Sequence, residues 1–472
     1  MLSGASLSAQ SVVDTFQKNR STMLRQYNSY RNDYIDRYAS FLENAWRSHE
    51  CFKGMERGQI PKPEKQPVAE FPVPSDGGRI PVPKGKGPQT PGHNNDDVRE
   101  TAPAQIAEPT GKNAFSFYGM AIPAPDLTLP RLTDIVNRNG IADNWRQLAS
   151  DPHIERAASE LLATADTLGL NDYLKYEFVS SWASSVCGKG SSASTKMLVH
   201  FILVKMGYDV RLALTSNSDL LFLISCHQQV FARPFLKIDN RNYYVFGSEA
   251  DPTGSSISTY DIPEAEVYYG QQMDLRLHPL RLPYHPGTYR ISHAGITIEG
   301  EYNANIFPLL YRYPQMPISD YVVSEADPEL RRSVVSQIRN CLVGMEPETA
   351  ADSLLRFVQS GFTYATDPQF HGFEKPYFFE EMLYYPVCDC EDRAIFYAYL
   401  LHNALGLDCQ LINYPGHESV GIKLNDNRQG DFYENQGSRF YISDPTYIGA
   451  STGMCMPKFR NIKPEIDYSY SH

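Results

Sequence analysis

Apolar and polar positions change rhythm several times along the chain, and each change marks an element. From Ser11 to about Glu50 the rhythm is helical: Tyr27, Tyr30, Tyr34, Tyr38, Phe41 and Ala45 recur at three- and four-residue steps and form one aromatic stripe. Such a stripe is packing surface, for a docking partner or for self-association, before it is a ligand site. Residues 58–113 break the rhythm with prolines, as in "IPKPEKQPVAEFPVPSDGGRIPVPKGKGPQTPG". Proline lacks an amide donor and fixes φ, so this stretch reads as an extended, semi-rigid tether rather than helix or sheet.

Residues 114–268 carry helical patterns through "RLTDIVNRNGIADNWRQLA", "IERAASELLATADTL" and "STKMLVHFILVKMG", followed by strand-like runs such as "LLFLIS" and "NYYVFG". Residues 269–325 hold short alternating runs, "TYRISH", "ITIEGEY" and "FPLLYRY", which predict a small antiparallel β element. From 326 to 472 the helix-then-strand order returns, ending in "CQLINYP", "ESVGIKL" and "RFYISDPTY". The two longer segments can be laid over each other. Matching "KMGYDVRLAL" to "ALGLDCQLIN" puts Gly207 on Gly406, and the same offset puts Ser191 on Cys390 and Ser218 on His417. With a small adjustment Gly247 falls on Asp444. The pattern predicts an α+β protein: an N-terminal helix over 1–57, the linker 58–113, two like-ordered domains over 114–268 and 326–472, and a β spacer over 269–325. A shared helix–strand rhythm without common origin is the alternative.

Composition narrows the function classes. Hydrophobic residues at 42% and aromatics at 12% describe folded domains rather than disorder. A formal charge of −12, with no cluster of Lys and Arg, speaks against a nucleic-acid surface. No apolar run approaches the roughly 20 residues that span a bilayer. The start, "MLSGASLSAQS", has the small residues of a signal-peptide cleavage region without the basic and long apolar parts that precede one. Two readings stay open: a signal remnant, which would make the protein periplasmic or secreted, and an ordinary frayed terminus. Eight cysteines are too sparse in 472 residues for a disulfide-built scaffold, and without a CxxC pair no structural zinc site or other cofactor is expected.

The chemistry concentrates in "PVCDCEDRAIFYAYLL", Pro386 to Leu401. Asp389 can cap a helix whose face is Ala394, Ala398, Leu401 and Leu405 and whose end is Gly406. Cys390 then stands at the positive end of that helix, where amide donors favour thiolate and the neighbouring carboxylates oppose it. His417, in "YPGHESVGIKL", opens a strand, and Asp444 closes the next one. Neighbouring antiparallel strands would let the aspartate orient one imidazole nitrogen while the other faces the sulfur. Each residue also has a plain reading: a packed cysteine, a histidine capping a turn, and a turn opener in "DPTY". Cys388 could bridge Cys390 only with strain, so it reads as a packed thiol.

At these residues the chain resembles the transglutaminase-like superfamily. "DCEDRA" with Cys390, "GHESVGI" with His417 and "YISDPTY" with Asp444 look like its three signature blocks in order, most of all the bacterial branch with an acidic pair after the cysteine. The resemblance covers about 326–460, with a degenerate copy at 114–268 that lacks the triad. It implies a papain-like fold and thiol chemistry on amide bonds: a cysteine protease or amidase acting on peptide or isopeptide substrates, with cell-wall peptides fitting a secreted form. Transglutamination is the same chemistry with an amine acceptor, and a non-catalytic binding scaffold is the alternative of a different class. Two positions depart from the family pattern: Cys388 stands where glycine is frequent, and Ser419 where an aromatic is frequent. Some bacterial relatives hold calcium beside the cysteine, which would map to Asp389 and Glu391; helix capping explains those acids more simply.

Overall fold

The structure is a computed structural model that describes residues 9–57, 114–188, 192–247, 251–260, 270–425 and 429–471. The small-residue start (1–8), the proline-rich stretch and Ser191 lie outside the described residues.

The first helix, Ala9–Asn44, seats Ile35, Tyr38, Ala39 and Leu42 in the core, a spacing that brings all four to one face. Tyr38 meets Trp145 of the Arg138–Ser150 helix with ring centroids 4.5 Å apart. The far end of the predicted aromatic stripe is therefore covered by the chain itself, while Tyr34 is 39% exposed. The side chains of Tyr27 and Tyr30 lie outside the described residues.

The chain then does what the helical reading of 1–57 did not anticipate: Trp46–Phe52 forms a strand. Its residues, "WRSHECF", show no clean alternation, and it is held by partners on both sides, Phe235–Ile238 and Ser256–Tyr260. This strand closes a six-stranded barrel in the order Trp46–Phe52, Phe235–Ile238, Arg241–Phe246, Leu220–Ser225, Val210–Thr215, Ser256–Tyr260. "LLFLIS" is buried along its whole length, as expected of an apolar strand in a closed sheet. Four helices cover the barrel, each begun by a side-chain cap: Asn137, Asp151, Asn171 and Ser192 accept amide hydrogens of their own first turns. Each cap of this kind contributes about 1 kcal/mol.

In the later segment, helices Pro328–Leu342, Pro347–Gly361 and Cys390–Leu405 precede a five-stranded sheet. Its order is Phe432–Asn435, Ser438–Ser443, His417–Lys423, Cys409–Tyr414, Glu465–Tyr470. Five barrel strands, taken in chain order, occupy the same places. Registers agree as well: Leu212 pairs with Phe222 as Leu411 pairs with Val420, Phe222 with Phe246 as Val420 with Ser443, and Phe235 with Tyr244 as Phe432 with Tyr441. These registers keep Gly247 opposite Asp444. They move the counterpart of His417 from Ser218 to Asp219, because the turn after Thr215 is one residue longer than the Pro415–Gly416 turn. In the later sheet no described strand links Phe432–Asn435 to Glu465–Tyr470, so it remains a half-barrel.

Between them, Pro286–His293 and Ile296–Asn303 form the expected hairpin, followed by the short helices Ile306–Leu310 and Ile318–Val323. One apolar core runs through both domains, from Ile35 to Ile422. Two buried ion pairs fix the approach to the Cys390–Leu405 helix: Arg331 with Glu380 at 2.7 Å, and Lys375 with Glu381 at 2.7 Å. Removing one partner of such a pair leaves a buried charge and costs about 3–5 kcal/mol.

Candidate functional site

Cys390 is the first residue of its helix and is 1% exposed. The start is fixed reciprocally: the Asp389 carboxylate accepts from the Glu391 amide at 3.2 Å, and Asp392 accepts from the Asp389 amide at 3.0 Å. Asp392 also accepts from the Tyr377 amide at 2.7 Å, tying the helix to the preceding loop. Burial pushes the Cys390 thiol well above its ordinary range, and the charges of Asp389 and Glu391 push the same way; the Glu418 backbone amide opposes them by favouring thiolate. The thiol form dominates at neutral pH, so a nucleophilic role needs a base.

His417 lies on the adjoining strand, 3% exposed, and its Nε2 is 2.8 Å from Asp444 Oδ2. A carboxylate only accepts, so Nε2 carries the hydrogen and Nδ1 of the neutral ring is left with its lone pair. Nδ1 is buried and has no hydrogen-bond partner. Phe459 stacks on the imidazole, with centroids 5.2 Å apart and planes 6° apart, and holds its orientation. Asp444 is fixed in turn: its Oδ1 accepts from the amides of Thr446 and Tyr447 at 2.8 and 3.2 Å. Gln359, on the Pro347–Gly361 helix, donates to the carbonyls of Asp444, Tyr447 and Ala450 at 3.1, 2.9 and 3.0 Å. The structure thus brings His417 and Asp444 into contact and sets Cys390 and His417 on the wall of one cleft of about 460 Å³.

Cys388 faces away from this chemistry. It is a buried free thiol, pushed up to about 12 chiefly by burial, and its sulfur accepts from Arg393 Nε at 3.3 Å. The other arms of Arg393 reach the carbonyls of Pro445 and Phe362 at 3.3 and 2.7 Å. Cys388 therefore belongs to the joint that holds the Asp444 turn against the Cys390–Leu405 helix, which is what the packed reading requires. Ser419, at the other departure from the family pattern, is buried with no partner for its hydroxyl.

Several lining residues had no signal in the sequence. Arg57, from just after the barrel-closing strand, reaches Glu391 across the domain boundary with Nη1 to Oε1 at 3.0 Å, and its guanidinium lies 5.5 Å from the centre of the Tyr321 ring. Glu374, Glu418 and Asp467 complete an acidic wall with Glu391. Crowding shows in their ionisation: burial and then Glu391 push Glu374 up to about 8 and Asp392 up to about 7. Burial and then Asp392 push Asp367 up to about 10.

Two trios, Asp389–Cys390–Glu391 and Asp367–Glu374–Glu391, offer ligand-capable atoms within 4.8 Å of one another. They suit calcium poorly: one trio includes a soft sulfur, Asp389 is spent on the helix cap, and Glu391, common to both, is paired with a guanidinium. In the first domain, Asp219 and Gly247 stand where His417 and Asp444 stand in the second, a combination without an imidazole or a carboxylate to orient one. Among the described residues no helix is long and apolar enough to cross a membrane. No protein-family model matches the chain, and no curated protein or solved structure matches it either.

Proposed function

We propose that the chain is a thiol-dependent hydrolase of peptide or isopeptide amide bonds, working through Cys390, His417 and Asp444 in a transglutaminase-like arrangement. The observation that carries this reading is the state of His417: Asp444 fixes Nε2, and the bare Nδ1 is buried on the wall that also presents Cys390. His417 Nδ1 takes the proton of the Cys390 thiol as the sulfur attacks the substrate carbonyl carbon, and the C–N bond breaks as the imidazolium returns that proton to the leaving amine. The thioester is then cleaved by water deprotonated by the same nitrogen, regenerating the thiol. Asp444 stays ionised and stabilises the imidazolium. The positive charge formed on His417 lowers the cost of forming the thiolate, which offsets the burial that holds the resting thiol neutral.

Protein-glutamine acyl transfer would use the same steps with an amine in place of water. The first domain supports a binding or structural role, since its counterpart positions supply no imidazole and no residue to orient one. Iodoacetamide labelling at neutral pH, read by peptide mass spectrometry, tests the reading. Cys390 is expected to label at least a hundredfold more slowly in His417→Ala than in the native chain. Equal labelling of the two proteins would remove the triad, and with it the enzyme.

A further inference from the structure

The cleft beside Cys390 gathers more carboxyl groups on its wall than it has cationic side chains to meet them. Glu374, Glu391, Glu418 and Asp467 line it, and among the described lining residues Arg57 is the only Lys or Arg. Glu418 is 2% exposed, and its Oε1 has no hydrogen-bond partner although Oε2 accepts from Asn413 at 3.0 Å. A buried carboxyl oxygen left without a partner is costly, and a donor brought by a ligand would recover that cost.

Arg57 fills this space incompletely. Nη1 pairs with Glu391, while Nη2 is buried with no partner. Burial works against its charge, and Glu391, then Tyr321, Glu374 and Glu418, outweigh that cost. The guanidinium is held by an aromatic face and one carboxylate, a setting that would suit any planar cation or ammonium. Its backbone is delivered from the other domain. After the closing strand, Gly54 passes so near the Arg233 backbone that a Cβ would lie 2.2 Å from the Arg233 nitrogen, and Met55 accepts from the Ala232 amide at 2.7 Å. Beyond that anchor Glu56 and Arg57 are the last described residues of this segment, and Arg57 lines the cleft.

We infer that this acidic cleft is a subsite for the cationic side chain of a peptide substrate, guanidinium or primary ammonium, and that Arg57 occupies it until such a side chain displaces it. The inference gives the substrate class of the thiol-hydrolase reading and rests on it for the word substrate; the cation subsite itself stands on the cleft alone. Displacement makes Arg57 a competitor in the resting chain and a determinant of specificity, because an uncharged side chain would bring no donor to Glu391 or to the open Oε1 of Glu418.

The test is calorimetric binding to the full-length chain carrying Cys390→Ala, with N-acetyl-arginine methylamide as probe and N-acetyl-norleucine methylamide as its uncharged match. Adding Arg57→Ala is expected to tighten the arginine probe at least tenfold and to leave the norleucine probe unchanged. Adding Glu418→Gln to that variant is expected to weaken the arginine probe at least fivefold. If Arg57→Ala does not melt cooperatively, Arg57→Gln, which keeps a hydrogen-bonding side chain and loses the charge, carries the same expectation. Equal affinity for the two probes in the chain lacking Arg57 would overturn the subsite. Iodoacetamide labelling of the Arg57→Ala chain with Cys390 intact separates the two failures. Arginine binding with an inert Cys390 keeps the subsite and removes the hydrolase, whereas a reactive Cys390 without arginine preference removes the subsite alone.

Discussion

The two domains share a strand order and differ in how they end it. In the first, the strand Trp46–Phe52 fills the gap between Phe235–Ile238 and Ser256–Tyr260 and the barrel closes; in the second, the corresponding edges stay apart. The closed copy has Asp219 and Gly247 at the positions where the open copy has His417 and Asp444. Barrel closure and the paired His417–Asp444 thus fall on different domains. The segment that completes one copy continues straight to the other, since Arg57 follows the closing strand and reaches Glu391.

The sharpest way to break the contrast is to ask whether both aspartates matter. Asp444→Ala frees the imidazole to turn and removes the partner of its charged form, so Cys390 labelling is expected to fall about a hundredfold. Asp219→Ala, at the first-domain counterpart of His417, is expected to leave labelling unchanged; an equal effect from both would mean that the two domains are not divided in this way.

A second experiment addresses closure. Cys51 donates its amide to the Ser255 carbonyl at 3.2 Å and is paired with Leu236. Cys51→Pro deletes that donor and is expected to lower stability by about 3 kcal/mol in urea denaturation. A loss below about 0.5 kcal/mol would show the strand to be incidental to the barrel.

The smallest expected effect concerns charge. Burial, and then Glu391, push Glu374 up to about 8 and Asp392 up to about 7, both above ordinary carboxylate values. Between pH 4 and 8 the folded state therefore holds protons that the unfolded state has already lost, and stability falls as pH rises through that window. The melting temperature is expected to be roughly 5 °C lower at pH 8 than at pH 5. No difference, or the reverse order, would mean that the acidic wall is not crowded when folded.

The helix start at Cys390 was legible because its cap and its end, Asp389 and Gly406, are both local signals. His417 and Asp444 were legible because each stands at the end of an apolar run, and adjacent strands join such ends. Trp46–Phe52 was not: its residues carry no alternation, and what makes it a strand is a pair of edges distant in sequence. Arg57 and Gln359 were hidden for the same reason, since a polar residue announces neither the cleft it enters nor the carbonyls it ties. The matched position of His417 was missed by one residue because turn length is set by backbone conformation. Ser218, at a φ of 63°, occupies that extra place.

The barrel-closing strand has a consequence for the order in which the molecule can assemble. Trp46 pairs with Tyr260 and Cys51 with Leu236, so this segment leaves the ribosome long before the strands it joins. Until residue 260 has been made, the first domain has two bare edges and the early strand has none to join. Contacts so distant along the chain slow folding and leave edges open to wrong pairing, which places the hazard of self-association in the nascent protein rather than in the finished one.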